Sequence, residues 1–102
     1  MIYVVSRHMA ARDFILDRGF FGSVILIDHF SKEDLELLKP DDIVVGNLPV
    51  QLVASICQTG AKFYALVLDL PLEARGKELT LLDMYKYKAR LESYYAERRL
   101  QS

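Results

Sequence analysis

Met1-Ile2-Tyr3-Val4-Val5-Ser6-Arg7-His8 holds a strand in its apolar half and a candidate site in its polar half. Ile2 to Val5 is an unbroken apolar run rich in β-branched residues, the pattern of a strand buried on both faces. Ser6-Arg7-His8 interrupts it, and residues 9–18 then take up helical spacing, with Ala10, Ala11, Phe14 and Ile15 on one side and Gly19 as a stop. A strand of this kind followed at once by a helix is the first unit of a parallel sheet.

The rest of the chain repeats the alternation. Val24 to Ile27 reads as a second buried strand, and Ser31-Lys32-Glu33-Asp34 as a cap with acidic first-turn residues opening a short helix that Pro40 ends. Asp42 to Gly46 gives a third strand. Pro49 suits a first helical position, and the helix runs to about Thr59, with Leu52, Val53, Ile56 and Cys57 inward and Gly60 as its stop. Lys62 to Leu68 is a fourth strand. Thr80, with Asp83 three residues on, caps a long C-terminal helix.

The expected fold is therefore α/β, one small Rossmann-like three-layer sandwich over residues 1–102 with a mostly parallel sheet in the order 2-1-3-4. At 100° per residue the last helix carries two apolar stripes. Leu81, Met84, Tyr87, Leu91, Tyr94 and Tyr95 form one, and Leu82, Tyr85, Ala89, Ala96 and Leu100 form the other. One core needs one stripe, so the second points to a homodimer contact through that helix.

Composition narrows the classes. Of 102 residues, 52% are apolar and 26% charged, which is a globular balance. No apolar stretch is long enough to cross a bilayer, and Met1 to Val5 lacks the marks of a signal peptide. Cys57 is the single cysteine, so a cytoplasmic, reducing location and a buried rather than nucleophilic thiol are expected. With a net charge of −1 the chain is not basic enough for duplex nucleic acid. The charge is uneven, however. Residues 28–42 hold six carboxylates against two lysines, whereas seven cations and four carboxylates lie from Arg75 onward. A local cationic pocket for a small anion fits that distribution.

In an open parallel sheet, ligands bind beyond the carboxyl ends of the strands where the strand order reverses. That point lies between the first and third strands. Ser6-Arg7-His8 and Gly46-Asn47-Leu48-Pro49 end there, and beside them lies Asp69-Leu70-Pro71-Leu72-Glu73-Ala74-Arg75-Gly76-Lys77-Glu78-Leu79, a long charged connection of the kind that is usually functional. Arg7 and Arg75 can each clamp a phosphate bidentately, with Lys77 as a further cation. Two helix starts, near Met9 and Pro49, add positive dipole ends. Gly46 allows close backbone approach, Asn47 can orient a base or a sugar hydroxyl, and His8 can move a proton near neutrality. Blander roles stand beside these: His8 as a surface cap, Asn47 as a turn residue, Arg75 in an ion pair with Glu73 or Glu78, Asp69 as a turn cap. The convergence of all three segments favours a phosphate-containing ligand.

Other chemistries lack their signatures. There is no dinucleotide or phosphate-loop glycine motif, no clustered cysteines or histidines for zinc, and no nucleophile elbow. Asp69, Glu73 and Glu78 match no magnesium-ligand spacing and have cations among them. No metal and no cofactor are expected.

The blocks Tyr3-Val4-Val5-Ser6-Arg7-His8, Val45-Gly46-Asn47-Leu48-Pro49-Val50, and Leu68-Asp69-Leu70-Pro71 with Glu73-Ala74-Arg75-Gly76-Lys77-Glu78-Leu79 together resemble the small CRISPR-associated accessory family Csx-sixteen, over about residues 2–95. Met9-Ala10 departs from its pattern, where a proline and glycine would come after the histidine. The resemblance implies a CARF-like fold and a ring nuclease of type III CRISPR systems. Such an enzyme linearises cyclic oligoadenylate, above all cyclic tetra-adenylate, as a homodimer. For such an enzyme the residues themselves suggest Arg7 and Arg75 on the phosphate charge and His8 in proton transfer as the catalytic set, with Ser6, Gly46, Asn47, Leu48, Asp69, Pro71, Gly76 and Lys77 binding the ligand. Cleavage would use the RNA's own 2′-OH, without metal, and leave a 2′,3′-cyclic phosphate. Two other classes remain open on the residues alone: a protein that sequesters the ring without cutting it, and a dimeric scaffold with no nucleotide ligand.

Overall fold

The computed structural model describes residues 1–19 and 22–100. The strands are β1 (Ile2–Val5), β2 (Val24–Ile27), β3 (Ile43–Gly46), β4 (Lys62–Val67) and β5 (Arg90–Tyr94). The helices are α1 (Met9–Asp17), α2 (Lys32–Leu37), α3 (Val50–Gln58) and α4 (Leu81–Lys86), with a 3₁₀ turn at Leu72–Ala74. They build one five-stranded, mostly parallel sheet in the order β2-β1-β3-β4-β5. The first four strands stand in the expected order, and the fifth is an addition to it.

Strand periodicity divides the core between the two faces of the sheet. Tyr3, Val5, Val44 and Phe63 point to one side, where they meet Val53 and Ile56 of α3, with Leu35 of α2 and then Phe30 and Leu38 against them. Cys57 packs half-buried on this side as well. Ile2, Val4 and Val45 point to the other side and meet Ile15 of α1, and next to them Ala10, Ala11 and Phe14 pack with Leu66 and Met84 of α4. Val4, Phe14, Val44, Val45 and Ile56 are wholly buried. Each such side chain contributes about 1.5–3 kcal/mol relative to exposure. The layers are thus α1 and α4, the sheet, then α2 and α3.

Three expectations are corrected. The long C-terminal helix does not exist. α4 ends at Lys86, Lys88 takes a left-handed conformation at φ 57°, and the chain turns back as β5, antiparallel to β4 in the register Phe63↔Tyr94 to Val67↔Arg90. The turn is a Schellman closure, with Ala89 N–H bonded to Met84 O at 2.8 Å and Lys88 N–H to Tyr85 O at 3.2 Å. β5 pairs the free edge of β4 and so covers an edge that a continued helix would leave open. With the helix goes the second stripe as a helix face: Leu82 and Leu100 are exposed, while Ala89 and Ala96 pack against different halves of the core. The third correction concerns β2, expected to be buried on both faces. It is an edge strand that, among the described residues, pairs only with β1, and Val24, Ile25 and Leu26 keep 36–44% of their surface exposed.

Candidate functional site

All four parallel strands end on one edge of the sheet, and there lies a cleft of about 570 Å³. Its first wall is the pair of strand ends at the switch point. β1 and β3 run in the register Val5↔Gly46, and a Cβ at Gly46 would sit 2.7 Å from the carbonyl oxygen of Val5. Only glycine lets the strands stay paired to their last residue here. Beyond that pair the chain turns outward on both sides, as Ser6-Arg7-His8 and as Asn47-Leu48-Pro49, and all six residues line the cleft. The Ser6 hydroxyl accepts the His8 backbone N–H at 3.1 Å, which sets the turn into α1.

The other walls come from loops. Asp28, His29 and Phe30 lie just past β2, and Lys77, Glu78 and Leu79 precede the cap of α4. Arg12 joins the first wall to the β2 loop: its Nε donates to the Ser6 carbonyl at 2.7 Å, and its guanidinium pairs with Asp28. The floor is apolar, formed by Leu48, Leu52, Leu66, Leu68 and Met84. A polar rim over an apolar floor suits a ligand with both a charged group and a flat hydrophobic part, such as a nucleotide.

The helix ends around the cleft differ in kind. α2 and α4 are closed by full capping boxes, Ser31 with Asp34 and Thr80 with Asp83, so their first N–H groups are occupied and acids sit in their first turns. α1 and α3 begin at His8 and Pro49 with no side-chain cap and no acid in the first turn. These two are the helices whose starts line the cleft. Uncapped positive ends are suited to an anion. Among the described residues, Arg7 and Lys77 form no ion pair, whereas Asp28 is held by Arg12. Glu78, also without an ion pair among the described residues, offsets one of the two cations, so with Asp28 neutralised the lining keeps one excess positive charge while the chain carries a net charge of −1.

Of the residues singled out from the sequence, Ser6, Arg7, His8, Gly46, Asn47, Leu48 and Lys77 line the cleft together. Asp69, Pro71, Arg75 and Gly76 do not. Asp69 instead accepts from Arg90 of β5 at 3.0 Å, and its N–H bonds to Tyr87 O at 2.8 Å. Arg75 is exposed just after the 3₁₀ turn, so in the 69–79 segment Lys77 is the cation at the cleft. Asp28 and His29 escape the sequence reading. A signal for them was present, since a parallel β2 must end on the same edge as β1. Among the described residues, no group of three or more His, Cys, Asp or Glu side chains is placed to hold a metal ion. No helix among them is long and apolar enough to cross a membrane.

A family model described as "Putative CRISPR-associated protein (Cas_VVA1548)" matches residues 3–97, which takes in the whole cleft and every strand and helix apart from Ile2 at the start of β1. Among the curated proteins and the solved structures, nothing matches the chain. The chain belongs to the Cas_VVA1548 family of CRISPR-associated proteins.

Proposed function

We propose that this protein is a ring nuclease that binds and cleaves cyclic oligoadenylate, with cyclic tetra-adenylate as its main substrate, and so switches off type III CRISPR signalling. The observation that carries the proposal is the switch-point cleft, where two uncapped helix starts, Arg7 and Lys77 surround an apolar floor. Membership of a CRISPR-associated family and the resemblance to Csx-sixteen supply the biological setting.

In this reading Arg7 and Lys77 hold the non-bridging oxygens of one phosphate, aided by the first N–H groups of α1 and α3. Asn47 orients the ribose or the adenine edge, and the base rests on Leu48, Leu52 and Leu68. The ribose 2′-OH attacks its neighbouring phosphorus in line while His8 assists proton transfer. Charge developing on the phosphorus is stabilised by groups already in place, and such preorganised electrostatics usually lower a barrier more than any other single effect. A cleft of about 570 Å³ is the size of a drug-sized pocket and holds part of a four-nucleotide ring. A homodimer that faces two clefts toward one ring would hold the remainder, and a two-fold ligand matches a two-fold assembly.

Incubation with cyclic tri-, tetra- and hexa-adenylate, with and without EDTA, tests the proposal. Linear products ending in 2′,3′-cyclic phosphate, formed equally in chelator, are expected. Strict dependence on Mg²⁺ would remove the mechanism. Intact ring recovered after long incubation with excess protein would make it a sequestering protein, and no thermal shift with any ring would leave a scaffold.

A further inference from the structure

The chain contains two histidines, and both line the same cleft. They arrive from different strands. His8 stands at the start of α1 beyond β1, and His29 lies two residues past the end of β2. β1 and β2 pair in parallel as far as Val5↔Ile27, and the Ser6 N–H continues the ladder to Ile27 O at 3.0 Å. The two loops therefore leave the sheet side by side.

His29 is exposed, yet the chain is fixed on either side of it. Asp28 is held by Arg12, which also holds the Ser6 carbonyl, so one guanidinium ties the His29 loop to the His8 loop. Phe30 is buried, edge-to-face with Tyr3 at 6.3 Å between ring centroids, and Ser31 then caps α2. With an anchored residue before it and a buried one after it, the His29 backbone is held in place at the cleft wall, beside the loop that carries His8. The charged side chains around the pair are Arg7, Lys77, Glu78 and the Arg12-bound Asp28. Glu33 and Asp34 sit in the first turn of α2, where the Asp34 carboxylate is engaged by Ser31.

We infer that His29 and His8 act as a general acid–base pair on a phosphodiester bound in the cleft. This deepens the ring-nuclease reading and rests on it. One neutral imidazole takes the proton of the ribose 2′-OH as the O2′–P bond forms. The other, as imidazolium, gives its proton to the departing 5′ oxygen as the P–O5′ bond breaks. The products are a 2′,3′-cyclic phosphate and a 5′-hydroxyl, no water is consumed, and the two imidazoles exchange protonation states through solvent before the next turnover.

The test has two arms. In the first, cleavage of cyclic tetra-adenylate is monitored against pH for the wild-type protein, His29→Gln and His8→Gln. The wild type should give a bell. Each variant should lose a different limb of it, and kcat should fall by about 10²–10⁴-fold while KM changes little. A His29→Gln protein that keeps both limbs, or cleaves at the wild-type rate, overturns the inference and leaves the ring-nuclease reading standing. A wild-type protein that cleaves no ring overturns both. In the second arm, adenosine 2′,3′-cyclic monophosphate is added to the ligand-free protein and the two imidazole proton resonances are observed by NMR. Both should move together; movement of one alone, or of neither, overturns the pairing. His29 is exposed, so the variant should retain the wild-type melting temperature.

Discussion

The cleft is held in two different ways. Its strand-end wall, Ser6 to His8 and Gly46 to Pro49, grows from a parallel ladder whose last rung is Val5↔Gly46. Its loop walls, Asp28 to Phe30 and Lys77 to Leu79, each end in a capping box that opens a six-residue helix. A ladder distributes its hold over many hydrogen bonds and a buried core. A short helix is marginal by itself and depends on its cap and on few apolar contacts. The difference teaches where precision and adaptability reside: groups on the ladder wall stay fixed, Asp28 to Phe30 is tied back to that wall through Arg12 and the buried Phe30, and Lys77 to Leu79 is the stretch that can move with the ligand.

The comparison breaks most severely at Gly46. Gly46→Ala places a methyl 2.7 Å from a backbone oxygen that the ladder prevents from yielding. We expect a loss of about 1–3 kcal/mol, seen as a fall of roughly 4–20 °C in Tm, with weakened ligand binding. Unchanged melting would mean that the strand ends are not rigid.

Next in size is the contrast between the two cations. Arg7 stands on the ladder wall and Lys77 on a loop wall. A charge-assisted contact is worth about 1.5–3 kcal/mol, so Arg7→Ala should weaken cyclic tetra-adenylate binding by roughly 10–100-fold. Lys77→Ala should cost less, because a mobile lysine gives up more entropy on binding. Isothermal titration would settle the ranking, and a larger effect at Lys77 would reverse the assignment of the rigid wall.

Thr80→Ala and Ser31→Ala probe the loop walls directly. Each removes the acceptor of a capping box and should cost about 1 kcal/mol. Hydrogen exchange should quicken at 77–86 in the first and at 28–37 in the second, with Tyr3 to Val5 and Val44 to Gly46 unaffected. Exchange that quickens across the ladder as well would show that the walls are one cooperative unit.

The same contrast explains what can be read from the sequence. The ladder announces itself: Ile2-Tyr3-Val4-Val5 and Ile43-Val44-Val45 are apolar runs that only a buried parallel strand needs, and they fix the switch point and hence six of the cleft residues, Ser6 to His8 and Gly46 to Leu48. The capping boxes are equally legible, since Ser31/Asp34 and Thr80/Asp83 have the required spacing. The end of the helix that Thr80 opens is not legible. A left-handed residue at a helix end is usually glycine, and here it is Lys88, so the stop carries no mark. β5 then shows one strongly apolar inward residue, Leu91, among Arg, Glu, Ser and Tyr, too weak an alternation to displace a helical pattern. The charge of its segment points Arg75 toward the cleft, yet nothing in a sequence says which way each side of a loop faces. The exposure of β2 is hidden for a related reason, as an apolar run reads alike at the centre and the edge of a sheet.

The smallest effect lies on β5, farthest in kind from the ladder wall. Tyr94 donates to Glu92 at 2.6 Å, and Arg90 donates to both Glu92 at 3.1 Å and Asp69 at 3.0 Å. The Tyr94 hydroxyl and then Arg90 hold the Glu92 carboxyl below its ordinary range, while Glu92 pushes the Tyr94 hydroxyl above its own. For Glu92 the contribution is complete above its unfolded pKa, about 4.3, and disappears as pH falls through the depressed folded value. For Tyr94 the sign is opposite, so the contribution is complete below about pH 10 and is lost as pH rises through the raised value. Tyr94→Phe should therefore lower Tm by a small, even amount between about pH 4.3 and about pH 10, small because the network is solvent-exposed, and should converge with the wild type toward both extremes, so that its Tm-against-pH curve falls less steeply at each end. A neutral-pH loss comparable to that of Gly46→Ala would show that the antiparallel edge is held as firmly as the switch point, and the two-wall distinction would fail.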